Sequence, residues 1–130
     1  MLIMDEHEQL VEQVKIAIQR NTQARLIKNF RYALEEAEFE IDLLVLIEFT
    51  LCIIEAKVGV KERKARKQLA AHKSCILFQQ PILQQKQNLM FSKVKTFWIS
   101  LKERKVVETE TNEEMEFYSF LENPIVFLMK

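Results

Sequence analysis

At 130 residues, with 48% apolar and 29% charged side chains, the chain is long enough for one core but not for two, and its composition is that of a globular domain spanning residues 1–130. Nineteen Lys and Arg balance nineteen Asp and Glu, so total charge gives no sign of a nucleic-acid or membrane surface. The single glycine, Gly59, leaves no room for the glycine-rich phosphate loops of nucleotide-dependent enzymes, and two cysteines, Cys52 and Cys75, fall short of a disulfide framework or metal knuckle.

Residues 5–19 carry Leu10, Val11, Val14, Ala17 and Ile18 at helical spacing, with Asp5 placed to cap the start and Asn21 to stop the helix. His7 falls on the same stripe. The opening MLIMDEHEQ lacks the basic start and cleavage site of a signal peptide, and no apolar run is long enough for a membrane span, so a cytoplasmic protein is expected. Residues 24–32 read as a first strand with Leu26, Phe30 and Tyr32 on one face and Ile27 on the other. An acidic loop over 33–39 follows, and its Glu35 and Glu36 are weak substitutes for a missing metal ligand.

Residues 40–57, EIDLLVLIEFTLCIIEAK, read as a hairpin whose two apolar arms flank a break at Glu48-Phe49. A turn centred there pairs positions whose numbers sum to 97, which sets Asp42 opposite Glu55 and Glu40 opposite Lys57. Alternation along the strands then projects all four from one face at one end. Opposed carboxylates repel unless a cation lies between them, so the pair is expected to bind a divalent metal. A solvated rim, with Asp42 or Glu40 paired to Lys57, is the simpler reading, and a three-residue turn would shift the register and turn Asp42 away.

Residues 60–77 read as a second helix facing inward through Ala65, Leu69, His72, Cys75 and Ile76, with Gln68 at the border of that stripe and His72 a boundary or buried residue rather than a ligand. Residues 79–88, glutamine-rich and broken by Pro81, read as a loop or short irregular helix. Residues 94–101 form a fourth strand, with Phe97 and Ile99 opposite Thr96, Trp98 and Ser100, and 105–108 a short fifth. Thr111-Asn112 caps a last helix running through Leu121. Lys61, Arg63, Lys64, Arg66, Lys67 and Lys73 crowd the second helix, whereas six acids and no base lie between Glu108 and Glu122. A basic helix directly after a metal-binding hairpin would set phosphates beside the metal, although a solvated helix face would look the same.

Asp42, a twelve-residue gap and Glu55-Ala56-Lys57 closing an apolar strand, followed by a basic helix reading KARKQL, resemble the active-site signature of the PD-(D/E)xK nuclease superfamily. The opening EIDLL and the close IIEAK are most similar to the RecB-like and Holliday-junction-resolvase-like branches. The likeness covers roughly residues 5–100, and Ile41 stands where the family usually has the proline. It implies an α/β fold with an α-β-β-β-α-β restriction-endonuclease-like core, a mixed sheet flanked by helices. It also implies a nuclease that hydrolyses phosphodiester bonds, of DNA more readily than RNA. Asp42, Glu55 and the main-chain carbonyl of Ala56 would hold Mg2+ or Mn2+, Lys57 would hold the attacking water or stabilise the transition state, and Gln68 would orient water or phosphate. Lys61, Lys64 and Lys67 would bind the nucleic-acid backbone. Some members take a further ligand from the first helix, where His7, Glu6 and Glu8 stand, and resolvase-like members are often homodimers, for which the aromatics from Tyr118 onward are available. The other function classes are a catalytically inactive nuclease-fold protein serving as a nucleic-acid- or protein-binding accessory module, and a purely structural or interaction protein.

Overall fold

The computed structural model describes residues 4–21 and 23–130, so the first three residues of the MLIMDEHEQ opening lie outside the described residues. Helix α1 (Glu6–Asn21) begins where Asp5 Oδ1 accepts the Glu8 N–H at 2.8 Å, the expected cap. Then come β1 (Arg25–Leu34), β2 (Ala37–Ile47), β3 (Thr50–Lys57), α2 (Glu62–Phe78), α3 (Gln80–Lys86), β4 (Lys93–Ser100), β5 (Lys105–Glu108), β6 (Glu114–Glu116), α4 (Phe117–Glu122) and α5 (Pro124–Leu128). The strands form one six-stranded sheet in chain order, antiparallel throughout except for the parallel pair β3–β4. Helices α2 and α3 make the crossover that a parallel pair requires.

Each face of this α/β sheet has its own apolar layer. Against α1, α4 and α5 pack Leu43, Val45, Cys52, Ile54, Phe97 and Ile99, with Phe117, Phe120 and Phe127 closing the layer. The aromatics near the C-terminal end therefore serve the core, apart from Tyr118, which is half-exposed. Against α2 pack Phe30, Tyr32, Ile41, Leu44, Leu51, Ile53 and Trp98. Burial on both faces explains why β3 reads as a near-continuous apolar run rather than an alternating one. Among the described residues no helix is long and apolar enough to cross a membrane.

Several local expectations are corrected. The acidic loop shrinks to Glu35-Glu36, because β1 and β2 pair as far as Leu34–Ala37. Both glutamates stay exposed at that turn, which is the distal tip of the β1–β2 hairpin. Residues 114–116 are a strand, and α4 starts later, capped by Glu116, whose carboxylate accepts the Tyr118 and Ser119 N–H groups at 3.1 and 3.0 Å. In β1, Ile27 rather than Leu26 joins Phe30 and Tyr32. The reason is Asn29, which adopts a left-handed backbone (φ 55) between the paired positions Lys28–Leu43 and Phe30–Ile41. Asparagine tolerates that conformation better than most residues, and here it breaks the alternation of faces. β2 breaks in step, so Ile41 packs on the α2 side while Leu43 packs on the α1 side. The residue of β2 at the break is Asp42.

Candidate metal and catalytic site

The β2–β3 ladder runs from Ile47–Thr50 to Leu43–Ile54, the register expected from a turn at Glu48-Phe49. Glu48 takes a positive φ of 54° in that turn, without the usual Asn-Gly. Regular pairing ends one step before Asp42 and Glu55. Beyond that point Asp42 Oδ2 takes the place of a main-chain acceptor and receives the buried Ala56 N–H at 2.9 Å. Both acids are buried, Asp42 at 8% and Glu55 at 4% exposure. Burial drives the Glu55 carboxyl above its ordinary range; nearby His72 opposes the rise, and the Asp42 charge adds to it. The two carboxyls are thus brought together, as the sequence led us to expect.

Two histidines complete the arrangement. His7 Nε2, from half-exposed His7 on α1, lies 3.1 Å from Asp42 Oδ2, whereas Glu6 and Glu8 are exposed on the same turn. His72, buried on α2, lies with Nε2 3.3 Å from Glu55 Oε1, close enough for an ion pair but without an aligned hydrogen bond. Among the described residues the Glu55 Oε1 atom has no hydrogen-bond partner, and neither has the buried Oε1 of Gln68, one helical turn before His72. Gln68 and His72 line a cleft of about 300 Å3 together with Glu38, Phe39, Glu40 and Ala71. Buried oxygens without donors are costly, and a site that receives a cation, a water or a phosphate is one place where they occur. A histidine reaching Glu55 was not foreseen. Its sequence signal was the spacing of four from Gln68, which sets both on one helix face.

Glu40 does not pair with Lys57. With Phe39 and Ile41 turned toward α2 by the break at Asp42, Glu40 lies between them on β2 and takes Arg31 as its partner, Oε2 to Nε 3.1 Å. Lys57, half-buried at the end of β3, has no ion-pair partner among the described residues, and its strand partner is Ser100. The pairing of Lys57 with Asp42 or Glu40 that the rim reading named is not formed. Lys57 stands on the same face of β3 as Glu55, two residues on, where a free ammonium is available to a ligand.

The basic stretch of α2 divides in two. Lys61, Lys64 and Lys67 are exposed. Arg66 pairs with Glu62 (3.1 Å) and donates to the Thr109 carbonyl at 3.0 Å, and Lys73 pairs with Glu110. The acidic C-terminal segment thus takes up Arg66 and Lys73, whereas Lys61, Lys64 and Lys67 have no ion-pair partner among the described residues.

Among the described residues no three or more His, Cys, Asp and Glu side chains form a group placed to hold a metal ion. Two carboxylates and one main-chain carbonyl are not such a group, and magnesium keeps several of its own waters, so a set this small fits it. Compared with known proteins, the chain matches no family model and no curated sequence.

Proposed function

We propose that the chain is a metal-dependent nuclease of the PD-(D/E)xK kind, with DNA favoured over RNA as substrate. The observation that carries this reading is the pair of buried, adjacent carboxyls of Asp42 and Glu55, one with an oxygen that has no hydrogen-bond partner among the described residues; Lys57, two residues along β3 from Glu55, has no ion-pair partner among them. Asp42, Glu55 and the Ala56 carbonyl would hold Mg2+ or Mn2+. When bound, the ion supplies positive charge to a phosphoryl oxygen and lowers the pKa of a water. The protein's own contribution is to aim two carboxylates at one point, to set the Lys57 ammonium beside that point for the attacking water or the pentavalent transition state, and to present the Gln68 amide to water or phosphate. Lys61, Lys64 and Lys67 would engage the sugar–phosphate backbone without reading sequence.

A second reading, a catalytically inactive nuclease-fold module that binds nucleic acid or protein, draws on a specific observation: each carboxyl already has a histidine within 3.3 Å. The test is incubation with labelled single-stranded, duplex and branched DNA and RNA under Mg2+ and Mn2+, with Asp42→Asn as the control. Cleavage by the native chain alone supports the nuclease. Binding without cleavage under either ion supports the module.

A further inference from the structure

We infer that Tyr32 and His72 form a positioning pair for Glu55, fixing the orientation in which that carboxylate meets a divalent cation; the inference rests on the nuclease reading above. The three side chains come from β1, α2 and β3 and form one buried line. Tyr32 Oη lies 2.7 Å from His72 Nδ1, and His72 Nε2 lies 3.3 Å from Glu55 Oε1. The exposures of the three are 8%, 5% and 4%, so water does not compete for these contacts. Tyr32 is itself immobilised by stacking on Phe39, ring centres 5.2 Å apart, and its edge meets the imidazole.

The partners select the tautomer. An ionised carboxylate has no proton to give, so the imidazole must carry its proton on Nε2 to meet Glu55 as a donor. Nδ1 is then an acceptor, and the Tyr32 hydroxyl is the donor that suits it. Tyr32 cannot serve as that donor in its ionised form, and burial keeps its hydroxyl protonated, well above the ordinary tyrosine range. A histidine held for packing alone would be satisfied by Tyr32 and would gain nothing from facing a buried acid. A metal ligand, by contrast, needs an outer partner to hold its angle, the arrangement usual around ligating side chains. Here the imidazole reaches the orphan oxygen of Glu55 without an aligned bond, so a small rotation of the carboxylate toward a cation is compatible with gaining that bond. On its own helix Gln68, Ala71 and Cys75 stand within about a turn of His72 and carry no formal charge, and the Cys75 thiol also approaches the Tyr32 hydroxyl.

The experiment measures Mn2+ binding by electron paramagnetic resonance on the native chain, Tyr32→Phe, His72→Leu and His72→Gln, with circular dichroism to establish folding. Long-range 1H–15N spectra of the ring read the tautomer. The expected result is Mn2+ affinity 10–100-fold weaker in His72→Leu, largely restored in His72→Gln, whose amide donates from a similar place, and intermediate in Tyr32→Phe. The native ring should carry its proton on Nε2, and Tyr32→Phe should erode that preference. Native-like Mn2+ affinity in folded Tyr32→Phe and His72→Leu would overturn the positioning role and leave the metal site standing. Absence of Mn2+ binding by the native chain is a different outcome, which removes the metal reading and the inference with it. Tyr32→Phe deletes one oxygen and so keeps the test decisive if His72→Leu does not fold.

Discussion

Lys95 and Glu55 are both charged residues buried in the central strands of one sheet, and the fold treats them oppositely. Lys95, on β4 and facing the α1 side, donates from Nζ to the main-chain oxygens of Leu128 and Lys130 at 3.2 and 2.7 Å. It ties α5 to the sheet and satisfies carbonyls at and just beyond the C-terminal end of that helix. Glu55, facing the α2 side, keeps an oxygen without a partner beside a second acid. A buried charge with complete hydrogen bonding contributes to stability or breaks even; one left incomplete costs stability and persists where a ligand completes it. The difference sets a structural residue apart from the candidate site residue without reference to motif.

The sharpest way to break this contrast is to neutralise the acids. Asp42→Asn and Glu55→Gln should each lower metal-dependent cleavage by roughly 1000-fold, the loss of several kcal/mol of charge stabilisation, measured as single-turnover rates on labelled DNA. Asn is the choice at position 42 because its amide oxygen still accepts the Ala56 N–H, whereas Ala would leave that buried donor unpaired at a cost of about 1–3 kcal/mol. Full activity in Asp42→Asn would remove this end of the sheet from the chemistry.

Glu55→Gln also carries a pH signature. Burial raises the folded-state pKa of Glu55 above its ordinary value of 4.5. The stability that its protonated form contributes is therefore fully present below that value and is lost as pH rises through the raised one. Without metal, Glu55→Gln should melt at a higher temperature than the native chain at pH 7, and the two should converge by about pH 4. Equal melting temperatures at both pH values would mean that Glu55 bears no desolvation cost.

Lys57→Ala should reduce turnover by about 100-fold, at the low end for a group that assists proton movement, with nucleic-acid affinity unchanged. Joint neutralisation of Lys64 and Lys67 should do the reverse: turnover at saturation is kept, while the slope of log affinity against log salt on duplex DNA flattens by roughly 2. Matching affinity losses from the two sets would make Lys57 one more phosphate contact.

Lys95→Met probes the satisfied end. It should destabilise the fold by about 1–3 kcal/mol in urea melts, by leaving the Leu128 and Lys130 oxygens unpaired, and should leave the cleavage rate of the folded protein unchanged. The smallest effect is expected at His7, whose contact with Asp42 is half-exposed. His7→Ala should cost less than about 1 kcal/mol and shift metal preference modestly from Mn2+ toward Mg2+, since nitrogen donors suit the softer ion.

Much of this site could be read before any coordinates. The apolar runs on either side of Glu48-Phe49 locate the turn but, being apolar on both faces, leave its length open; the structure has the two-residue turn, which carries the ladder to Leu43–Ile54, one step from Asp42 and Glu55. The stripe of α1, the inward positions of α2 and the alternation of β4 follow from helical and strand periods in the same way. What tertiary structure decided lies across long sequence separations or at single backbone angles. His7 meets Asp42 across 35 residues and Tyr32 meets His72 across 40, contacts set by where the helices rest on the sheet. The left-handed Asn29 exchanges the faces of Leu26 and Ile27 relative to Phe30 and gives Glu40 to Arg31. The pairing of Lys73 with Glu110 and the bond from Arg66 to the Thr109 carbonyl take two cations out of a stretch that in sequence reads as one basic patch. Period and register are local properties written in neighbouring residues, whereas the partners of a buried charge depend on which elements the packing brings against it.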